Sequence, residues 1–305
     1  MSSDSITRGF ITIATGDIYY YKLAANLLKS YRYTTKKVMP FAIICEEENQ
    51  YTDLFDVVVI TKDASKSFMD KLLLLKLCPF DENVFLDSDI LAYNDLNNYW
   101  DFFKDATDFS AVGKNVGLHE EGAWYNIEDI EPYGSKLQYK VQVHMGLCFI
   151  RKTIKLKKLY NDCLNIINDY DKLHFHTCPY SKDETTFGVA MPLNDMKATY
   201  EIPESMGFLP CLTSVSASII QHKLSYSTLW GTSVKDNGWV LHFGTIQTRQ
   251  PLYRFEVECL DNILRNKQNN LLFAIRYKLG TRWISLKIGW KFRCFGNRLK
   301  NHFSK

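Results

Sequence analysis

A mainly parallel sheet wrapped by helices, the α/β class, is the fold this sequence predicts, and three observations predict it. Short apolar runs of strand length recur through the first 90 residues, each bounded by polar segments. Between them lie stretches with the 3.6-residue apolar spacing of amphipathic helices. The chain also shows no internal repeat or low-complexity segment, and 8 prolines and 15 glycines in 305 residues are too few for a linker-rich or fibrous architecture.

The elements follow in order. Gly9–Thr15 is an apolar strand that ends at Gly16-Asp17. Residues 19–31 carry Tyr20, Leu23, Ala24, Leu27 and Leu28 on one helical face. Met39–Cys45 and Phe55–Ile60 read as two further strands, 66–78 as a helix, and Asn83–Leu86 as a fourth strand. Residues 114–142 are polar and read as a long functional loop or insertion. His144–Ile150 is strand-like, and 152–170 is a helix with Leu156, Leu159, Tyr160, Cys163, Ile166 and Ile167 on one side. Trp239–Phe243 is a late strand. Residues 1–260 are therefore expected to form one continuous domain.

Composition narrows the class. With 46% apolar and 23% charged residues the chain is not disordered. No run approaches the ~18 apolar residues of a membrane span. The segment MSSDSITRGF lacks the pattern of a secretory signal, and the eight cysteines contain no CxxC pair, so reduced thiols and a cytoplasmic location are expected.

The net charge of +3 hides an asymmetry. Residues 262–305 hold 11 basic and no acidic side chains, which leaves residues 1–261 at −8. Within 261–305, Leu272, Ile275, Leu279, Trp283, Leu286 and Trp290 form a helical stripe interrupted at Gly280 and Gly289. Aromatic and aliphatic residues among Lys and Arg suit a basic amphipathic tail at an anionic membrane, the inner face of the cell membrane. Nucleic acid is the competing anion, but the body offers no nucleic-acid motif.

Val84-Phe-Leu-Asp87-Ser88-Asp89-Ile-Leu91 carries the chemistry. Two carboxylates two residues apart follow an apolar strand, and strand carboxyl ends form the ligand crevice of open α/β sheets. While the chain stays extended, they project to one side. Hard oxygen ligands in that arrangement suit Mn²⁺ or Mg²⁺, and through it a diphosphate. A polar turn closing the strand is the plainer reading of the same residues.

The sequence resembles a GT-A fold glycosyltransferase of the family 8 type, the glycogenin-like and bacterial lipopolysaccharide hexosyltransferases. Several segments carry the likeness in the right order across about 9–253. Thr15, Gly16, Asp17 and Tyr20 match the nucleotide-base positions, and Lys71 falls where the family places a basic residue. Asp81–Leu91 matches the family's D-x-D strand, which includes Ser88. His144-Met-Gly146 is similar to its N-x-G strand, Asp183-Glu184 to its D-Q step, and Val240-Leu-His242-Phe-Gly244 to its H-F-x-G metal-ligand strand. The departures are His144 for Asn, Glu184 for Gln, Gly244 one residue early, and no K-P-W after it. Arg249 stands where it could replace that motif's cation.

The resemblance implies a single Rossmann-like nucleotide-sugar-binding domain and transfer of a hexose, galactose or glucose, from a UDP-sugar. It implies metal ligation by Asp87, Asp89 and His242, and Asp183 and Glu184 near the reacting carbon. The nucleotide sugar would meet Thr15, Gly16, Asp17, Tyr20, Lys71, Ser88, His144, Gly146, Gly244 and Arg249. A surface glycan on a lipid carrier or lipopolysaccharide core is the expected acceptor, the lipid being argued from the tail. Two other readings stand beside it. A haloacid-dehalogenase-like phosphatase also places D-x-D after a strand, usually near the start of the chain and followed by Thr. A membrane-binding adaptor with a degenerate site is the third.

Overall fold

The computed structural model describes residues 7–175 and 182–265, so the basic tail lies outside the described residues. In chain order the elements are β1 (Arg8–Ala14), α1 (Ile18–Thr34), β2 (Phe41–Cys45), β3 (Val57–Ile60), α2 (Leu74–Leu77), β4 (Glu82–Leu86) and β5 (Ile90–Ala92). After α3 (Asn98–Phe102) come β6 (Phe109–Val116), β7 (Lys140–Arg151), α4 (Lys155–Asp169) and α5 (Lys182–Ala190). Six short strands follow: β8 (Thr199–Tyr200), β9 (Gly207–Phe208), β10 (Leu212–Ser218), β11 (Lys223–Thr228), β12 (Ser233–Val234) and β13 (Val240–His242). Helix α6 (Pro251–Leu264) closes the described chain. Among these residues no helix is long and apolar enough to cross a membrane.

The described residues group into two compact units. The first holds residues up to 24, 39–88 and 99–201, and the second holds 25–38, 89–98 and those from 202 onward.

A seven-stranded sheet in the order β3-β2-β1-β4-β7-β6-β8 builds the first unit. Strands β3, β2, β1 and β4 are mutually parallel, and β7 runs antiparallel to both β4 and β6. The class expected from the sequence is thus observed, with one reversed strand. All five residues of β2 and of β4 are buried, as expected of strands covered on both faces. Buried Glu82 is matched by Arg8 at 2.7 Å and Arg151 at 2.9 Å. Chain order reverses direction across the sheet at β1 and β4, which places the segments after Ala14 and Leu86 at a topological switch point.

Two local expectations are corrected. Residues 66–78 are not one α-helix, because Phe68–Leu73 is a 3₁₀ helix and only Leu74–Leu77 is α-helical. Buried Asp70 draws the chain tight there, accepting from Ser65 N and Oγ at 2.6 Å, Lys66 N at 3.0 Å and Thr15 Oγ1 at 2.6 Å. The ends of the polar stretch 114–142 are strand, 114–116 in β6 and 140–142 in β7. Val116 pairs with Lys140, so the β6–β7 ribbon runs past the end of β4, which pairs only with Leu147–Arg151.

The second unit contains two three-stranded sheets, β10-β11-β12 and β5-β13-β9. Within it Ala92 N–H donates to Ser30 Oγ of α1 at 2.9 Å, fixing β5. Helix α6 buries Glu256, whose Oε2 accepts from Ile219 N at 2.6 Å while Oε1 has no partner among the described residues. Burial pushes this carboxyl up to about 7 from 4.5, with the Ile219 N–H pulling the other way. An acid whose folded pKa is raised contributes full stability below its unfolded pKa and loses it as pH rises through the folded one. The loss across that window is on the order of 3 kcal/mol. Glu256→Gln keeps an acceptor for Ile219 and removes the charge. It is expected to raise the melting temperature by several degrees at pH 8 and to change it little at pH 5. An equal shift at both values would show that charge is not the cause.

Candidate active site

The segment after β1 is built from short-range bonds. Gly16 has φ +79°, a conformation that favours glycine, and its N–H donates to Glu46 Oε2 at 2.5 Å. Asp17 Oδ1 accepts from Tyr19 N at 2.7 Å, so this carboxylate caps α1. The three successive tyrosines divide as helical geometry requires. Tyr21 is buried, its hydroxyl accepting from Glu46 N at 3.2 Å, while Tyr20 is half-buried and packs edge-on to Tyr19 at 6.4 Å. Thr15 and Gly16 are thus tied to Asp70 and Glu46, two residues that sequence reasoning did not select.

Asp87 ends β4, and its N–H donates to the Gly146 carbonyl at 2.9 Å. Gly146 lies where the β6–β7 register shifts, and its own N–H donates to His144 Nδ1 at 3.1 Å. The bulge therefore brings His144 and Gly146 beside the backbone of Asp87.

Lys71 is not a solvated helix charge. It is 9% exposed, and its Nζ lies 2.8 Å from Asp183 Oδ2 and 3.1 Å from Asp87 Oδ2. Burial pulls the ammonium pKa down, but the Asp183 and Asp87 carboxylates outweigh it and hold it well above the usual lysine range. Asp183 is buried in the first turn of α5, and Glu184 next to it is half-buried. Ser181, which would complete a capping box with Glu184, lies outside the described residues.

The chain does not stay extended through the motif. It turns at Ser88–Asp89 before entering β5, so alternation along a strand is not what sets the two carboxylates. In the second unit β13 pairs antiparallel with β5, His242 opposite Ile90, and parallel with β9, His242 opposite Phe208. That register puts His242 Nε2 at 2.9 Å from Asp89 Oδ1, both side chains buried. Thr245 Oγ1 donates to Asp89 Oδ2 at 3.4 Å, and the Phe208 ring lies 4.9 Å from the imidazole. Neither residue was read from the sequence, which offers no signal for contacts so distant along the chain. Gly244 has φ +70°, and a Cβ there would stand 3.2 Å from Gln247 Oε1. Arg249 is exposed on the 3₁₀ helix Gln247–Arg249.

One residue separates Asp87 from Asp89 in the chain. Asp87, Asp89 and His242 each offer one ligand atom, those of Asp89 and His242 lying 2.9 Å apart. Two anionic oxygens and one imidazole nitrogen match a divalent cation in charge and in donor type.

No protein-family model matches the chain, and no curated protein matches it. Among solved structures it is similar to an active-site mutant of LgtC, at 13% identity over 66% of this chain and 75% of that one, with a TM-score of 0.43.

Proposed function

We propose that this chain is a metal-dependent glycosyltransferase that moves a hexose from a UDP-sugar to a surface glycan on a lipid carrier or lipopolysaccharide core. The observation that carries the reading is the Asp89–His242 pair, 2.9 Å apart, with Asp87 two positions earlier at the end of a buried strand. The sequence resemblance supports the donor class. Mn²⁺ or Mg²⁺ held by these three residues would supply Lewis-acid neutralisation of a departing diphosphate.

The chain's own residues supply the rest. Thr15, Gly16, Asp17 and Tyr20, at the carboxyl end of β1, receive the nucleoside. Ser88, His144 and Gly146 line the approach to Asp87, and Gly244 and Arg249 face the diphosphate. Lys71 adds a fixed cation, which helps most where water is excluded. It also orients Asp183, which with Glu184 stands at the reacting carbon. A carboxylate that takes the acceptor's proton gives inversion, whereas one that stabilises the oxocarbenium ion gives retention. NMR of the product's anomeric configuration reads which occurs.

The test is calorimetric titration of the full chain with UDP, with Mn²⁺ and with EDTA. Binding is expected only with the metal, together with slow Mn²⁺-dependent hydrolysis of at least one UDP-hexose. UDP binding that ignores EDTA, or no binding at all, overturns the reading.

The acceptor's lipid is argued from residues 262–305, to which this reading gives peripheral contact with an anionic membrane. Deleting residues 271–305 is expected to release the protein from anionic vesicles and to leave UDP binding intact. Full-length binding should weaken as salt shrinks the Debye length from about 10 Å at 0.1 M to about 3 Å at 1 M. Undiminished vesicle binding by the truncated chain would remove the lipid from the proposal.

A further inference from the structure

A cavity of about 480 Å³ opens in the first unit along the polar side of α4, within the ~300–1,000 Å³ range of small-molecule sites. Its walls come from α4 between Lys158 and Asp169, from the 3₁₀ turn Gly134–Lys136 and the residues just before it, and from Leu193. None of the residues assigned to metal or nucleotide above lines it.

The walls are pre-organised. Asp162 Oδ2 accepts from Asn194 Nδ2 at 2.8 Å and from Lys158 Nζ at 3.2 Å. Lys158 also donates to the Leu193 carbonyl at 3.1 Å and to Asn194 Oδ1 at 2.9 Å. Asp169 Oδ2 accepts from the Tyr133 hydroxyl at 2.8 Å, its Oδ1 accepts from Lys172 at 2.7 Å, and Lys136 lies over the Tyr133 ring at 5.7 Å. Two lysines and two aspartates line the cavity, so their formal charges cancel. The lining therefore offers neither an anion nor a cation an excess of opposite charge.

Two groups remain unspent. Asn165 and Asn168 stand one helical turn apart, exposed, and neither amide is used within the described residues. Each offers two donors and a carbonyl acceptor in one plane, which matches neighbouring hydroxyls that both donate and accept. The apolar share of the wall is small, from Pro132, Leu193 and the nearly buried Tyr133 ring, which disfavours an apolar ligand or a helix seeking a groove.

We infer that this cavity binds a neutral oligosaccharide through Asn165 and Asn168. As a sugar site it goes beyond the transfer reading and needs neither metal nor nucleotide. As a holding site for a distal part of the glycan acceptor it rests on that reading. Tyr170 connects the two regions, since it follows Asp169 and its hydroxyl lies 2.8 Å from Thr185 Oγ1, two residues beyond Asp183.

The experiment titrates the full chain, in EDTA, with neutral di- to pentasaccharides of glucose, galactose and N-acetylglucosamine, read by NMR shift changes. A sialylated trisaccharide is the anionic control. At least one neutral glycan is expected to bind at millimolar concentration and more tightly than the control. The double change Asn165→Ala and Asn168→Ala should weaken it at least tenfold, with UDP binding and melting temperature unchanged. Asn165→Arg, which fills the cavity from an exposed position, should do the same. No binding by any neutral glycan, or binding that both sets of changes leave intact, overturns the inference. If glycans bind through these asparagines while UDP never binds, the site stands and the transfer reading falls. If UDP binds with Mn²⁺ and no glycan does, only the site falls.

Discussion

Asp89→Asn is expected to abolish Mn²⁺-dependent UDP binding and to lower kcat/KM by at least ~10³, about 4 kcal/mol of transition-state stabilisation. The change removes one anionic ligand and almost no volume. The β5–β13 pairing rests on backbone bonds that the change does not touch, so it should persist. Asp89 Oδ2 now accepts from Thr245 Oγ1 at 3.4 Å. An amide nitrogen there must donate instead, a small loss at a long contact. The melting temperature should therefore stay within a few degrees of wild type. Calorimetry with UDP and Mn²⁺, beside a thermal melt, measures both effects. Near-normal turnover at saturating Mn²⁺ would show that Asp89 is not a metal ligand.

Lys71→Met should cost about 3–5 kcal/mol of stability, the usual price of removing one partner from a buried ion pair. Methionine fills the space of the lysine stem, so packing loss is minor, but Asp87 and Asp183 lose the cation that both contact. The ammonium's folded pKa is raised, so its contribution is fully present below the ordinary lysine value of 10.5 and is lost only as pH rises above that. At pH 7 the whole effect is on display. At pH 4, close to the ordinary carboxylate range, the deficit should shrink. Adding Asp183→Asn to Lys71→Met removes one stranded charge and should recover part of the loss. Urea denaturation of the three proteins at pH 7 and pH 4 gives the comparison. A single variant within about 1 kcal/mol of wild type at pH 7 would mean that the trio carries no structural weight.

Much of the first unit is legible in the sequence, and the reason is local. Strands β1, β2 and β4 are short apolar runs because both of their faces are covered, and α4 keeps a clean apolar stripe because it has one solvated side. The 3₁₀ helix Phe68–Leu73 is not legible in this way. Its apolar run satisfies helical spacing, and the tightening comes from Asp70 bonding to Thr15, 55 positions away. Strands β8, β9 and β12 hold two residues each, too few for any period to register.

The candidate site divides along the same line. By itself the sequence determined that two carboxylates follow a buried strand and that basic charge gathers after Asp261, because composition and short spacing are properties of the chain. Their chemistry depends on neighbours that only the tertiary structure supplies. Asp89 meets His242 through the pairing of β5 with β13, across 153 positions of sequence, and Lys71 meets Asp183 across 112. Side-chain atoms a few ångströms apart require strand register and helix placement fixed by burial of the whole core, and no local pattern encodes such a distance.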